Sequence, residues 1–152
     1  MKHNQSTIDL IKQTRTYCKD LSLDARGKLV IGWEHKVKER SDRKGEFMNS
    51  PFSLEEAETL LIKDLTNIDI GLKPVLKASL SQRQYNAVVS FCYDISVKSF
   101  KHSGILDLIN NYKFTEASSL LRQWNTYLKQ RIYKLTKLRK IEIQLLTTNK
   151  EE

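Results

Sequence analysis

The segment that follows Ser81 constrains the fold most strongly, because its apolar residues recur with the period of an α-helix. Ser81 precedes this pattern and has the side chain of a helix N-cap. Residues spaced i, i+3, i+4 and i+7 share one face of a helix, so the segment is predicted to be a core helix. The four residues at that spacing are Tyr85, Val88, Val89 and Cys92.

Other segments show the same periodicity. Ser53 and Glu56 have the spacing of a capping box, and they open a second amphipathic helix. A first helix is predicted to begin near Ser6, with Ser6 and Asp9 as its capping pair, and to fade by residue 17 or 18. Two further helices are predicted at 117–124 and at 128–146.

One segment has the pattern of a strand. Gly27 marks a turn, and residues 28–31, which end in the apolar run 29–31, are predicted to form a strand. The region of about 20–36 is therefore predicted to form a small β-hairpin, whereas residues 53–146 form the larger helical part. The charged, aperiodic stretch at 39–50 is predicted to be a surface loop.

Length and composition indicate one globular domain over residues 1–152, of the α+β class and mostly helical. The net charge of +8 fits a polyanionic partner such as nucleic acid, an anionic membrane or bacterial cell wall. No apolar run approaches the ~18 residues of a membrane span, and no signal peptide is visible, so a cytoplasmic product is expected. Cys18 and Cys92 have no metal-ligand spacing, which predicts reduced thiols and neither metal nor cofactor.

Several short motifs follow one another along the chain. They are DLIK at 9–12, IGWEH at 31–35, SLEEAETLLIKDL at 53–65, LSQRQYNAVVSFCYD at 80–94 and ASSLLRQW at 117–124. This order, over roughly residues 8–146, resembles that of the phage-type lysozymes, the endolysin family of glycoside hydrolases (family 24-like). The resemblance implies a phage lysozyme-like fold, with a small N-terminal β-hairpin lobe and a larger helical lobe, and a phage or prophage origin.

The resemblance also implies where the catalytic residues of the family would fall. In that family a Glu near the end of the first helix is the general acid, an Asp follows nine residues later, and a Thr six residues after that points into the cleft. Counted without gaps from the hairpin motif, these positions hold Arg15, Asp24 and Val30. Only the Asp is retained. Arginine stays protonated at any useful pH and cannot donate a proton on demand, and valine lacks the hydroxyl.

Glu34 stands where the family has a second hairpin glycine, and it allows two interpretations. In one, Glu34 is a relocated general acid with Asp24 as the second carboxylate. In the other, which we prefer, Glu34 forms an ion pair with Arg15, because a buried guanidinium needs an acidic neighbour. His35 is expected to be a structural histidine held by hydrogen bonds. Asp24 suits a turn as well as a functional role, and both interpretations stay open.

Aromatic and basic residues complete the candidate list. Trp124 ends an apolar stripe and is expected in the core, whereas Trp33 could face either lobe or solvent. Six basic residues near the C-terminus could form a nucleic-acid face, although such a stripe is more often a solvated helix surface. They are Lys129, Arg131, Lys134, Lys137, Arg139 and Lys140.

These observations favour a lysozyme-like protein that has lost the lysozyme reaction and acts by binding or regulation. Its partner would be a peptidoglycan-like glycan or another protein, and as in endolysin relatives a separate pore-forming protein could release it from the cytoplasm. The alternative is an active muramidase that cleaves peptidoglycan with Glu34 as general acid and Asp24 as second carboxylate. A third alternative is a basic nucleic-acid-associated protein. The predicted vestigial cleft consists of Arg15, Asp24, Val30, Glu34 and His35.

Overall fold

The computed structural model describes residues 1–37 and 52–148, so the predicted loop at 39–50 lies outside the described residues. Within them the chain forms seven helices and five strands. The helices are α1 (Gln5–Thr14), α2 (Leu54–Leu72), α3 (Gln82–Ile95), α4 (Val97–His102), α5 (Ile105–Asn110), α6 (Phe114–Arg122) and α7 (Tyr133–Thr147). The strands are β1 (Cys18–Leu23), β2 (Leu29–Gly32), β3 (His35–Lys36), β4 (Thr126–Tyr127) and β5 (Gln130–Arg131).

The first three strands form an antiparallel sheet in the order β1-β2-β3. Ser22 pairs with Val30, and Ile31 pairs with His35. The predicted hairpin is therefore a three-stranded sheet that begins at Cys18, slightly earlier than expected. The mostly helical α+β class is confirmed, because helices make up 59% of the structure and the sheets are small and antiparallel.

Helix α1 begins and ends earlier than predicted. Its N-cap is Asn4, whose side chain accepts a hydrogen bond from the backbone N–H of Ser6 at 2.9 Å, while Thr7 accepts one from the Asn4 backbone at 3.1 Å. The predicted capping pair of Ser6 and Asp9 is wrong, because Asn caps as well as Ser and stands two residues earlier. The helix ends at Thr14, short of the predicted residues 17 or 18.

The capping pairs of the two long helices are as predicted. Ser53 accepts a hydrogen bond from the backbone N–H of Glu56 at 3.1 Å, which starts α2. Ser81 does the same for Gln84 at 3.2 Å, which starts α3. Residues 85–93 of α3 are all buried, and all of them except Asn86 and Ser90 belong to the larger hydrophobic cluster, so this segment is a core helix as predicted.

The C-terminal helix is shorter than predicted. Residues 126–131 form a hairpin of β4 and β5, and α7 starts only at Tyr133. At the tip of this hairpin, Leu128 and Lys129 have φ values of 50° and 63°. Glycine or asparagine usually occupies such positions. The sequence therefore carries no turn signal, and the prediction of helix from residue 128 is wrong.

A second hydrophobic cluster joins the sheet to α2. It contains Ile31, Val37, Phe52 and Ala57. Gly32 adjoins it with a φ of 63°, and a Cβ at this position would lie 3.1 Å from Cε1 of Phe52. Both the backbone conformation and the available space require glycine at this position of the hairpin motif.

Both tryptophans contribute to packing. Trp33 packs against both hydrophobic clusters, and its ring centroid lies 5.3 Å from that of Tyr17. Trp124 packs edge-on against Phe91 at 5.7 Å, which confirms its predicted place in the core. No helix within residues 1–37 and 52–148 has the length and apolar character that a membrane span requires. A single domain over 1–152 stays a prediction.

Candidate functional site

A groove separates the sheet from the helices, and we call it the interlobe groove. Its volume is about 380 Å³. Lys28 and Glu34 line it from the sheet side, Asp64 lines it from α2, and Asp94 lines it from the end of α3. A smaller cavity of about 20 Å³, with room for about one water molecule, adjoins the groove at Glu34.

Arg15 follows directly after α1 and is 7% exposed. Its guanidinium donates hydrogen bonds to the hydroxyls of Thr14 and Ser90, both at 2.9 Å, and to the backbone carbonyl of Ser90 at 2.8 Å. The same group lies 5.3 Å from the ring centroid of Tyr93. Arg15, which the resemblance predicts at the position of the family's general acid, is therefore held against helix α3.

Glu34 occupies its position with a φ of 58°, a conformation that favours the glycine found there in the family. Its carboxylate accepts a hydrogen bond from Lys134 Nζ at 2.7 Å and a longer one from the backbone N–H of Thr16 at 3.4 Å. Glu34 and Arg15 form no ion pair with each other in the described structure. The predicted ion pair between them is wrong, because α7 supplies a lysine to Glu34 while α3 satisfies Arg15.

Asp24 closes the turn between β1 and β2. It accepts hydrogen bonds from the backbone N–H groups of Arg26 and Lys28, both at 2.9 Å, and from Lys36 Nζ at 2.6 Å. Burial by itself would raise the pKa of Asp24, but the hydrogen bonds from Lys36 and the two backbone groups outweigh burial and lower it. The geometry gives Asp24 a clear turn role, while a functional role stays a prediction.

The five predicted cleft residues do not all meet. Arg15, Asp24 and Glu34 line the small cavity. His35 lines the interlobe groove, and its Nδ1 lies 2.6 Å from a carboxylate oxygen of Asp64, the kind of hydrogen bond expected of a structural histidine. Val30 is fully buried and, within the described structure, lines neither cavity, so its predicted place in the cleft is wrong.

A buried ionic cluster lies behind the groove. Asp94 accepts hydrogen bonds from Arg26 at 2.5 Å and from Arg139. Burial would raise the pKa of Asp94, but the guanidinium groups of Arg139 and Arg26 outweigh burial and lower it. Arg139 Nε also lies 3.1 Å from a carboxylate oxygen of Glu142. Glu142 is fully buried, and burial raises its pKa although Arg139 opposes the shift.

This cluster changes the interpretation of the basic stripe. Arg139 is only 1% exposed, so it does not belong to a solvated helix surface. Lys134 forms an ion pair with Glu34, which adjoins the sheet. Lys129 and Arg131 lie on the β4–β5 hairpin rather than on a helix, so the prediction of one continuous helical stripe is wrong. Capping and periodicity give no signal for such pairs, because the partners come from distant segments.

Metal and thiol chemistry find little support in the geometry. Within residues 1–37 and 52–148, no three His, Cys, Asp or Glu side chains come close enough together to hold a metal ion. Cys18 and Cys92 are free thiols. Cys92 is buried, and burial raises the pKa of its thiol well above the ordinary value, as for a core residue rather than a nucleophile.

Comparison with known sequences identifies relatives among phage proteins. The chain is 27% identical to an endolysin of Bacillus phage PZA over 130 residues, which are 82% of this chain and 47% of that protein. It is 34% identical to an endolysin of Bacillus phage B103 over 73 residues, which are 48% of this chain and 28% of that protein. The chain thus spans less than half the length of these relatives. Nothing in these comparisons points to a nucleic-acid or protein partner.

Comparison with solved structures agrees with the observed fold. The muramidase domain of SpmX from Asticaccaulis excentricus superposes with a TM-score of 0.79 and 26% identity, over 97% of this chain and 98% of that one. A P22 lysozyme variant gives a TM-score of 0.75 and 23% identity, over 97% and 99% of the two chains. The family model described as phage lysozyme matches residues 12–142, which include the sheet and nearly all of the helices. The chain therefore belongs to the phage lysozyme family.

Proposed function

We propose that this member of the family binds the glycan strands of peptidoglycan in the interlobe groove and does not cleave them by the family's usual route. The observation that carries the proposal is the buried contact of Arg15 with Ser90, because the resemblance predicts Arg15 at the position of the general acid. Glycoside hydrolysis needs a carboxylic acid that protonates the leaving oxygen. A guanidinium cannot take that role, and Arg15 is turned toward Ser90 rather than toward the groove.

The carboxylates that do line the groove support the same conclusion. Glu34 accepts a hydrogen bond from Lys134, Asp64 from His35, and Asp94 from two arginines. A hydrogen bond from an ammonium or guanidinium group favours the ionised form of a carboxylate, whereas a general acid has to carry the proton. In the described part of the groove, each carboxylate already has a basic partner.

The groove remains suited to a glycan. Its volume of about 380 Å³ falls in the usual range for small-molecule sites. Lys28 lines it without an ion pair among the described residues, and the whole chain carries a net charge of +8. Bacterial cell wall is an anionic polymer, so both features favour its approach.

Co-sedimentation with purified insoluble peptidoglycan tests this proposal. Asn67 is exposed on α2 and lines the groove, so Asn67→Trp would fill it. The matched control is Thr66→Trp. Thr66 is the preceding residue of the same helix, is also exposed, and does not line the groove within the described structure. We expect Asn67→Trp to weaken binding about tenfold or more, equivalent to ~1.4 kcal/mol, and Thr66→Trp to bind like the wild type. Equal binding by all three proteins would contradict a role for the groove.

A second candidate is an active muramidase with Glu34 as general acid and Asp24 as second carboxylate. The comparisons favour it, because the similar sequences are endolysins and a similar structure is a muramidase domain. The two carboxylates also line one small cavity.

Clearing of chloroform-treated Gram-negative cells separates the two candidates. We expect no clearing by the wild-type protein. Clearing that disappears in Glu34→Gln, and persists in the exposed Glu55→Gln control, would establish the muramidase and overturn the first candidate.

A further inference from the structure

A second cavity lies on the side of the helical lobe at the end of α6, and we call it the basic cavity. Its volume is about 550 Å³, and the β4–β5 hairpin and α7 complete its walls. Hydroxyl and amide side chains line it beside the basic ones, and no carboxylate does so within the described structure. The four basic residues that line it are Arg122, Arg131, Arg139 and Lys140.

Three of these cations have no partner of their own. Arg122, Arg131 and Lys140 are exposed, and within the described residues their side chains form no ion pair and donate no hydrogen bond. In the interlobe groove, by contrast, each described carboxylate has a basic partner. The positive charge around the basic cavity is therefore available to an external anion.

The fourth cation, Arg139, differs from the other three because it is buried. Arg139 is 1% exposed and holds Asp94 and Glu142 through two of its nitrogens, which balances its charge. Two of its nitrogens, Nε and Nη1, are buried and have no hydrogen-bond partner in the described structure, although Nε lies 3.1 Å from a carboxylate oxygen of Glu142. A buried N–H group without a partner is costly. An oxygen atom bound at the base of the cavity would remove that cost.

The hairpin that carries Arg131 is held in an unfavourable backbone conformation. Leu128 and Lys129 both have positive φ values, and neither is glycine or asparagine. Strain of this kind persists only where the surrounding structure requires it, and it is often found at ligand sites. Arg131 of this hairpin pairs with Thr126 and lines the cavity together with Arg122.

We propose that the basic cavity binds the phosphate group of a phosphate ester. Planar guanidinium groups match the oxygens of phosphate with paired hydrogen bonds, and arginine provides three of the four lining cations. A cavity of about 550 Å³ exceeds the size of one phosphate, which leaves space for the organic group to which the phosphate is attached. The site is independent of glycan binding in the interlobe groove, because the two cavities have no lining residue in common.

Calorimetric titration of the full chain with glycerol 3-phosphate tests the proposal, at fixed ionic strength set with potassium chloride. The variant Arg122→Gln with Arg131→Gln removes two cations from the cavity. Its control is Lys98→Gln with Lys101→Gln, which removes two exposed cations from α4. We expect saturable binding by the wild type, at least tenfold weaker binding by the cavity variant, and a change of less than twofold in the control.

Amide chemical shifts locate the ligand and identify its source. We expect changes at Gln123, Thr126 and Arg131, and none at Lys36 in the groove. Absence of saturable binding, equal weakening in both double variants, or shifts confined to the groove would overturn the proposal. Inorganic phosphate is titrated in parallel. If inorganic phosphate bound as tightly as glycerol 3-phosphate, the glycerol part of the ester would make no contact, and the assignment to an ester would be overturned.

Discussion

The interlobe groove and the basic cavity differ in how the same protein uses charge. In the groove the described carboxylates Glu34, Asp64 and Asp94 each hold a basic side chain, two of them contributed by the C-terminal helix α7. In the basic cavity three cations face solvent without a partner in the described structure. The groove charges therefore hold elements together, while the cavity charges are left for an external ligand. A high net charge alone did not distinguish these two uses.

Arg139 connects the two regions, because it lines the basic cavity and forms an ion pair with Asp94 of the groove, and removing it should produce the largest effect. Arg139→Ala leaves the buried carboxylates of Asp94 and Glu142 with less compensation. Breaking a buried ion pair from one side costs about 3–5 kcal/mol, so we expect the free energy of unfolding in urea to fall by about that amount. Lys137→Ala, at an exposed position of the same helix, is the control and should stay within about 0.5 kcal/mol of the wild type. A loss below about 1 kcal/mol for Arg139→Ala would show that the buried charges do not stabilise the helical lobe.

Asp94→Asn should show a smaller effect that depends on pH. The pKa of Asp94 is lowered in the folded state, so its contribution to stability is fully present above its unfolded pKa of about 3.9. This contribution is lost as the pH falls through the folded pKa. We expect the variant to be less stable than the wild type at pH 6, and the difference to shrink below about pH 4.

Urea unfolding curves between pH 3 and 6 would measure this difference, with the exposed Asp20→Asn as control. A difference that stays constant over the whole range would contradict the role of the ionised Asp94. Such a constant difference in the free energy of unfolding would be a packing effect of the substitution.

The smallest predicted effect concerns the hairpin that borders the basic cavity. Lys129→Gly should raise the free energy of unfolding by about 0.5–1 kcal/mol, because glycine adopts a positive φ without strain. Lys137→Gly, in the interior of α7, should lower it by about 1 kcal/mol. Thermal unfolding measures both changes. The same sign for the two variants would show that residue 129 is not in the left-handed conformation.

The predictable part of the fold rests on local signals. The capping pair of Ser53 and Glu56 and the apolar spacing after Ser81 lie within a few residues, and both helices form as predicted. The β4–β5 hairpin was missed because its tip, at Leu128 and Lys129, has no glycine or asparagine. A local pattern predicts a turn only where the chain has the residues, such as glycine or asparagine, that favour its backbone conformation.

The site was predictable in position but not in its contacts. The hairpin motif predicts that Arg15, Asp24 and Glu34 lie near one another, and all three line one small cavity. The partner of Arg15 lies 75 residues away at Ser90, and that of Glu34 lies 100 residues away at Lys134. Neither separation leaves a pattern in the sequence. The prediction of an ion pair between Arg15 and Glu34 therefore rests only on their proximity along the hairpin motif. Long-range pairing of charges has to be read from the structure.

We propose that the charged groups of the groove hold the protein together and do not supply a proton to a glycosidic oxygen. The most direct test is the release of new reducing ends from purified peptidoglycan by the wild-type protein, with a heat-treated sample as the blank. We expect no release of reducing ends above the blank, while the protein sediments with the peptidoglycan. Release that grows in proportion to protein concentration would contradict it.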